Sequence, residues 1–255
     1  MFHTLIYFNR EKVITYKSLI EGKKAIDFKD ATLVKDKGGK AIFPIMSGEM
    51  GTTSELKGEV LANYLLDCKE FEDILFGRDD YFDLLNDDVD GTTIPKSSII
   101  RFSGTINIPE EFHMLELINK FKPLIVNSVQ VNSTEEREVL GAFLGKDSTR
   151  VPLFIEPQDF FDEKLCFAKV NSNNFCYDFE NLDDFENEEV TILAKIISRK
   201  TVNGNPIVVY DVLKDLFSMN RTLRRKLDIL SSDPEIKNIT LDENYIQLEV
   251  LAIYQ

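Results

Sequence analysis

Four cations, Lys214, Arg221, Arg224 and Arg225, are the residues best placed to do chemistry. At the helical repeat of about 100° per residue they fall within an arc of about 100°, opposite an apolar stripe of Val212, Leu216, Met219, Leu223, Leu227 and Leu230. A guanidinium fork meets the oxygens of a carboxylate or phosphate two at a time, so such a face suits an anionic group on a partner or ligand. It stands against the charge of the whole chain, 255 residues with 30 Lys and Arg against 44 Asp and Glu, net −14. The same side chains equally suit pairing with the protein's own carboxylates, or plain solvation.

Other patterns carry less. Gly141 to Lys146 ends like a phosphate-binding loop, but three residues separate its glycines where four are needed, and Asp147 replaces the required Ser or Thr. Closing a helix is the expected role of Gly145. Asn86, Asp88, Asp90 and Gly91 match the first, third, fifth and sixth positions of a calcium loop, yet Ser97 stands where the bidentate glutamate belongs. An acidic surface turn is therefore expected there. No metal or other cofactor is expected, because His3 and His113 are isolated and Cys68, Cys166 and Cys176 form no CxxC pair. GxSxG and HExxH are absent, and nothing picks one carboxylate pair out of the acidic background. Three thiols without a disulfide framework suit a reducing cytosol.

The four cations follow a readable stretch. Val190, Ile192, Ala194 and Ile196 alternate with Thr191, Leu193, Lys195 and Ile197; Asn203 and Gly204 form a turn pair, and Ile207, Val208, Val209 and Tyr210 read as a second strand. A β-hairpin and then an amphipathic helix are expected. Upstream, the patterns predict a strand over 2–8, a helix over 11–20, a strand over 41–46 and a long helix over 55–76 with Cys68 on its wide apolar face. A half-buried strand over 98–107 precedes a helix beginning near Pro109, and Ser133 with Glu136 has the spacing of a capping box. Further strands are expected over 151–155, 165–170 and 246–254. Together these give an α+β fold: mixed, mostly antiparallel sheets with packed amphipathic helices, in an α+β subdomain 1–145 and a β-rich subdomain 146–255 with one long helix.

Composition bounds the function. Hydrophobic content of 43% and charged content of 29% are those of a globular protein. The acidic field repels phosphate backbones, so duplex nucleic acid over a broad surface is not expected. No run approaches the roughly 18 apolar residues of a membrane span, and residues 1–8 lack the marks of a signal peptide. A cytoplasmic location is expected.

The Leu5-Ile-Tyr-Phe-Asn9 strand with its short helix, the Ile100-Arg-Phe-Ser-Gly104 strand and the Val190-Thr-Ile-Leu-Ala194 strand together resemble an uncharacterised prokaryotic family of small cytosolic proteins, over most of the chain. The resemblance implies an α+β fold and supplies no activity or site residues. The expected function is that of an acidic cytosolic adaptor or regulatory protein with a protein partner, in a setting such as a bacterial defence or toxin-control module. The alternatives are a ligand- or nucleotide-sensing domain, and a hydrolase with an unrecognised carboxylate site.

Overall fold

The structure, a computed structural model, describes residues 4–22, 53–110, 112, 150–158, 160–177, 185–211, 214–215 and 238–255. Their elements are β1 (Leu5–Phe8), α1 (Arg10–Ile20), α2 (Thr53–Leu75), β2 (Tyr81–Asp83), β3 (Ile99–Asn107), β4 (Arg150–Pro157), β5 (Cys166–Asn171), β6 (Glu189–Lys200), β7 (Ile207–Tyr210), β8 (Ile239–Leu241) and β9 (Tyr245–Tyr254).

Period-two alternation in five of these strands decides the architecture. β3 turns Ile100, Phe102 and Ile106 to one side, and in register with them stand Ala194 and Ile192 of β6 and Ile155 of β4. β4 carries the same side onward to β5, where Leu153 faces Ala168 and Val151 faces Val170. β5 then runs parallel to β9, and β9 returns antiparallel to β6. The ladder therefore closes on itself as a five-stranded barrel. Numbered in chain order, its strands run first, second, third, fifth, fourth and back to the first. That Greek-key closure is the connectivity of the OB fold.

The interior is filled by apolar side chains, with Ile100, Phe102, Leu153, Ile155, Ile192 and Ala194 all at 0% exposure. Two described positions need glycine for space, Gly91 against the Phe160 backbone oxygen and Gly104 in the barrel wall. A Cβ on Gly104 would lie 2.5 Å from the Glu156 backbone oxygen, so the β3–β4 approach excludes any side chain there.

The outer surface of the barrel is covered along β9 and β6. There β1 extends β9, and α1 and α2 pack over Leu193 and Leu251 with Phe8, Val13, Phe71 and Leu75 as a second core. Separately, β7 and β8 pair antiparallel and join the interior core through Val209, Tyr210, Ile239 and Leu241. β2 adds a short parallel strand to β3.

Asn9 caps α1, its side chain accepting from the Lys12 backbone N–H at 3.2 Å. The helix is then pinned to β9 by Glu249, which meets Lys12 Nζ at 2.8 Å and accepts from the Tyr16 hydroxyl at 2.5 Å. Burial raises the Glu249 pKa, but the hydrogen bonds from Lys12 and Tyr16 outweigh it and hold the carboxyl below its ordinary 4.5. A depressed folded pKa contributes stability above the unfolded value near 4.5, and that stability is lost as pH falls through the lower folded value. Glu249→Gln is thus expected to flatten the acid limb of the stability-against-pH curve. An unchanged slope in denaturation at stepped pH would remove Glu249 from that role.

The expected helix-packed α+β fold is corrected by this architecture. Among the described residues nine strands stand against two helices, in a sheet-dominated, mostly antiparallel fold. Local alternation revealed most strands, but barrel closure depends on pairings between residues far apart in the chain. The division at 145/146 lies outside the described residues, and β3 and β4, from either side of it, pair in one sheet. The hairpin expected between 190–197 and 207–210 is also replaced. Gly204 does take the left-handed turn, at φ +79°. Both edges of β6 are already held by β3 and β9, so β7 departs and pairs with β8. The strand expected over 41–46 and all but residues 110, 112, 214 and 215 of the helices expected after 109 and 211 lie outside the described residues.

Candidate functional site

The outward positions of β4 and β5 bring cations to one face. Arg150 pairs in register with Asn171, and Pro152 with Lys169, so Arg150 and Lys169 project from the same side of the ladder, away from the interior. β7 ends on this face. The Tyr210 hydroxyl donates to the Arg150 backbone oxygen at 2.6 Å, its ring lies 5.7 Å from Lys169 Nζ, and it meets Phe112 edge to face at 5.8 Å. Burial pushes the Tyr210 phenol well above its ordinary value, keeping it a hydrogen-bond donor.

The chain then makes one tight turn. Lys214 and Asp215 both donate their backbone N–H to the Asp211 carbonyl, and the Asp211 side chain accepts from Lys214 N at 3.0 Å. This turn sends the two neighbours in opposite directions. Lys214 is exposed, whereas the Asp215 side chain is fully buried. Asp215 Oδ2 accepts from Lys169 Nζ at 2.5 Å and from Asp211 N at 3.1 Å. Asp215 Oδ1 has no hydrogen-bond partner and lies 3.7 Å from Arg150 Nη1, whose side chain remains 63% exposed. A carboxylate buried between two cations thus fastens the turn after β7 to the barrel.

Of the residues singled out in the sequence, Lys214 lies exposed in the turn next to Asp215, bonded there through its backbone N–H, while Arg221, Arg224 and Arg225 lie outside the described residues, as do Gly141 to Lys146 and His113. Sequence reasoning missed Arg150, Lys169 and Asp215. A signal existed for Asp215. Its helical position falls beside the apolar stripe of the expected helix, an unusual place for an unpaired acid.

The remaining candidates fold into structural roles. Asp90 caps a short 3₁₀ turn, accepting from Thr92 N at 2.9 Å and Thr92 Oγ1 at 2.6 Å, and these bonds hold its carboxyl low. Asn86 donates to Asp83, and the Gly91 carbonyl accepts from Arg199. Among the described residues no group of three or more His, Cys, Asp or Glu could hold a metal ion. Cys68 and Cys166 are buried, and burial pushes the Cys68 thiol up to about 12 and the Cys176 thiol to about 11, the opposite of an activated nucleophile. Arg101, with Asp83, Glu72 and Tyr254, ties α2 and β2 to the barrel's far side. The depression lined by Gly77, Arg78, Asp79 and Asp80 has its one cation, Arg78, already paired with Asp80.

No helix among the described residues is long and apolar enough to cross a membrane. No family model, curated protein or solved structure matches the chain.

Proposed function

We propose that this chain is a binding protein, an adaptor or regulatory subunit that docks an anionic segment of a protein partner on the basic stretch beginning at Lys214. One observation carries the reading: the turn after β7 buries Asp215 against Lys169 while it presents Lys214 outward. The start of the basic stretch is thereby held on the β4–β5 side of the barrel. OB barrels take up ligands on that side and on the loops beside it, although a fold by itself assigns no activity. Three free thiols support a cytoplasmic setting, and a defence or toxin-control context is part of the proposal. The resemblance to a prokaryotic family adds no activity to it.

The test reverses Arg221 and Arg225 together to glutamate. Each charge-assisted contact is worth about 1.5–3 kcal/mol, so the double change is expected to weaken partner binding by a factor of at least about 100 and leave the melting temperature nearly unchanged. Rising salt should weaken the wild-type complex, because exposed charges are screened beyond about 8 Å. Recovery of partner from the native host, with wild type and the double variant at low and high salt, reads both effects. Equal recovery in all four conditions defeats the reading.

A further inference from the structure

At the end of the β4–β5 ladder the barrel wall holds an anion from its own chain. The Asp215 carboxylate meets two cations on neighbouring strands, Lys169 Nζ of β5 at 2.5 Å and Arg150 Nη1 of β4 at 3.7 Å. Both cations belong to the paired strands of the wall, whereas the acid comes from the turn after β7. Its fit there is incomplete. Oδ2 accepts from Lys169 and from the Asp211 backbone N–H, but Oδ1 is buried with no hydrogen-bond partner, and Arg150 lies too far from it to donate. A buried acceptor left unpaired has lost its hydration without replacement. The Arg150 side chain meanwhile stays largely in solvent.

We propose that Lys169 and Arg150 form a carboxylate-binding site that Asp215 fills from within, and that an acidic segment of the protein partner replaces it. The chemistry of the ligand follows from the occupant already seated; its source in a protein partner rests on the docking reading above. An incoming carboxylate that reaches both cations gains the Arg150 hydrogen bond that Asp215 does not make. Asp215, released to water, has both oxygens solvated. The release is confined to the turn, because Tyr210, just before it, stays anchored through its hydroxyl on the Arg150 backbone oxygen. Asp215 therefore sets a threshold. Only molecules with the turn released bind, and the apparent affinity falls by their fraction.

The test uses a fluorescein-labelled oligoglutamate peptide, read by anisotropy at constant ionic strength. An oligoglutamine peptide and a thymidine oligonucleotide of equal length are the controls. Asp215→Asn removes the internal charge and keeps an acceptor for the Asp211 N–H. With a minor state of up to about 10%, the full chain carrying this change is expected to bind the glutamate peptide at least about tenfold more tightly than wild type. Adding Lys169→Met and Arg150→Ala should weaken that binding by at least about 100-fold. Melting temperatures identify any variant that does not fold. Hydrogen exchange in wild type reads the same event without a substitution. Excess glutamate peptide should speed exchange of the Asp211 amide, which donates to Asp215, and spare the Ile196 amide, bonded to Ser98 within the barrel. Equal binding by wild type and Asp215→Asn, binding that survives loss of Lys169 and Arg150, or an unchanged Asp211 amide overturns the proposal. Equal binding of the glutamine peptide does so too, and tighter binding of the oligonucleotide overturns it in favour of a phosphate backbone. Partner recovery lost on reversing Arg221 and Arg225, but indifferent to Lys169 and Arg150, leaves the docking reading standing and removes this site. Glutamate peptide bound through Lys169 and Arg150, with recovery indifferent to the Arg221/Arg225 reversal, keeps the site and removes that reading.

Discussion

Replacing Phe102 with alanine is expected to lower the unfolding free energy by about 3–5 kcal/mol. The side chain is at 0% exposure in the middle of β3, and its ring meets Phe161 edge to face with centroids 5.7 Å apart. Truncation removes those contacts and leaves a cavity. The barrel wall around it is one continuous hydrogen-bonded ladder, so it has little freedom to collapse inward. Domains of this kind are stable by only about 5–15 kcal/mol, so the loss is a large fraction of the total. In urea denaturation the midpoint should fall with little change in slope, the sign of lost stability without altered compactness. A change below about 1 kcal/mol, the size of an ordinary surface substitution, would show that the barrel interior is not the cooperative core.

Removing the Asp215 carboxylate acts through charge. Breaking a buried pair by deleting one partner costs about 3–5 kcal/mol, because the other charge is left uncompensated. Asp215→Ala is expected at the low end of that range, since Lys169 keeps 23% exposure and can turn toward water. The same change also takes the acceptor from the Asp211 backbone N–H. Adding Lys169→Met to Asp215→Ala should recover much of the loss, as replacing both members of such a pair is often close to neutral. A double-mutant cycle in denaturant isolates the coupling. Additive effects of the two changes would mean that the 2.5 Å contact does not hold the turn to the barrel.

These two sites differ in how far the sequence exposes them. Phe102 is legible, because Ile100, Phe102 and Ile106 alternate with Arg101, Ser103 and Thr105. β4, β5, β6 and β9 show comparable patterns, and α2 appears as a wide apolar face over Thr53–Leu75. β2 and β8 are three residues each, too short to show a period. The order of the strands is not legible, since it is decided by which ladders close. Lys195 illustrates this: it reads as one position of a strand, whereas its amine lies 4.8 Å from the Tyr16 ring, which is 179 residues away in sequence. The Lys169–Asp215 contact spans 46 residues and joins one acid, out of 44 Asp and Glu, to one strand lysine. No local pattern points from either residue to the other. Lys214 was legible as a cation on a polar face, but not as the exposed neighbour of a buried carboxylate.

The closing of the ladder at β9 also bears on how the chain reaches this state. β9 pairs with β1, β5 and β6, so the last barrel strand in chain order is the one on which three others depend. Until it arrives, one edge of β6 and the end of β5 present unpaired N–H and C=O groups, an invitation to other chains. Contacts such as Tyr7 with Ile253 close almost the entire length of the sequence, and non-local pairing of this kind slows folding. During synthesis the barrel strands already made must wait for β9 to leave the ribosome, and over that interval aggregation competes with closure.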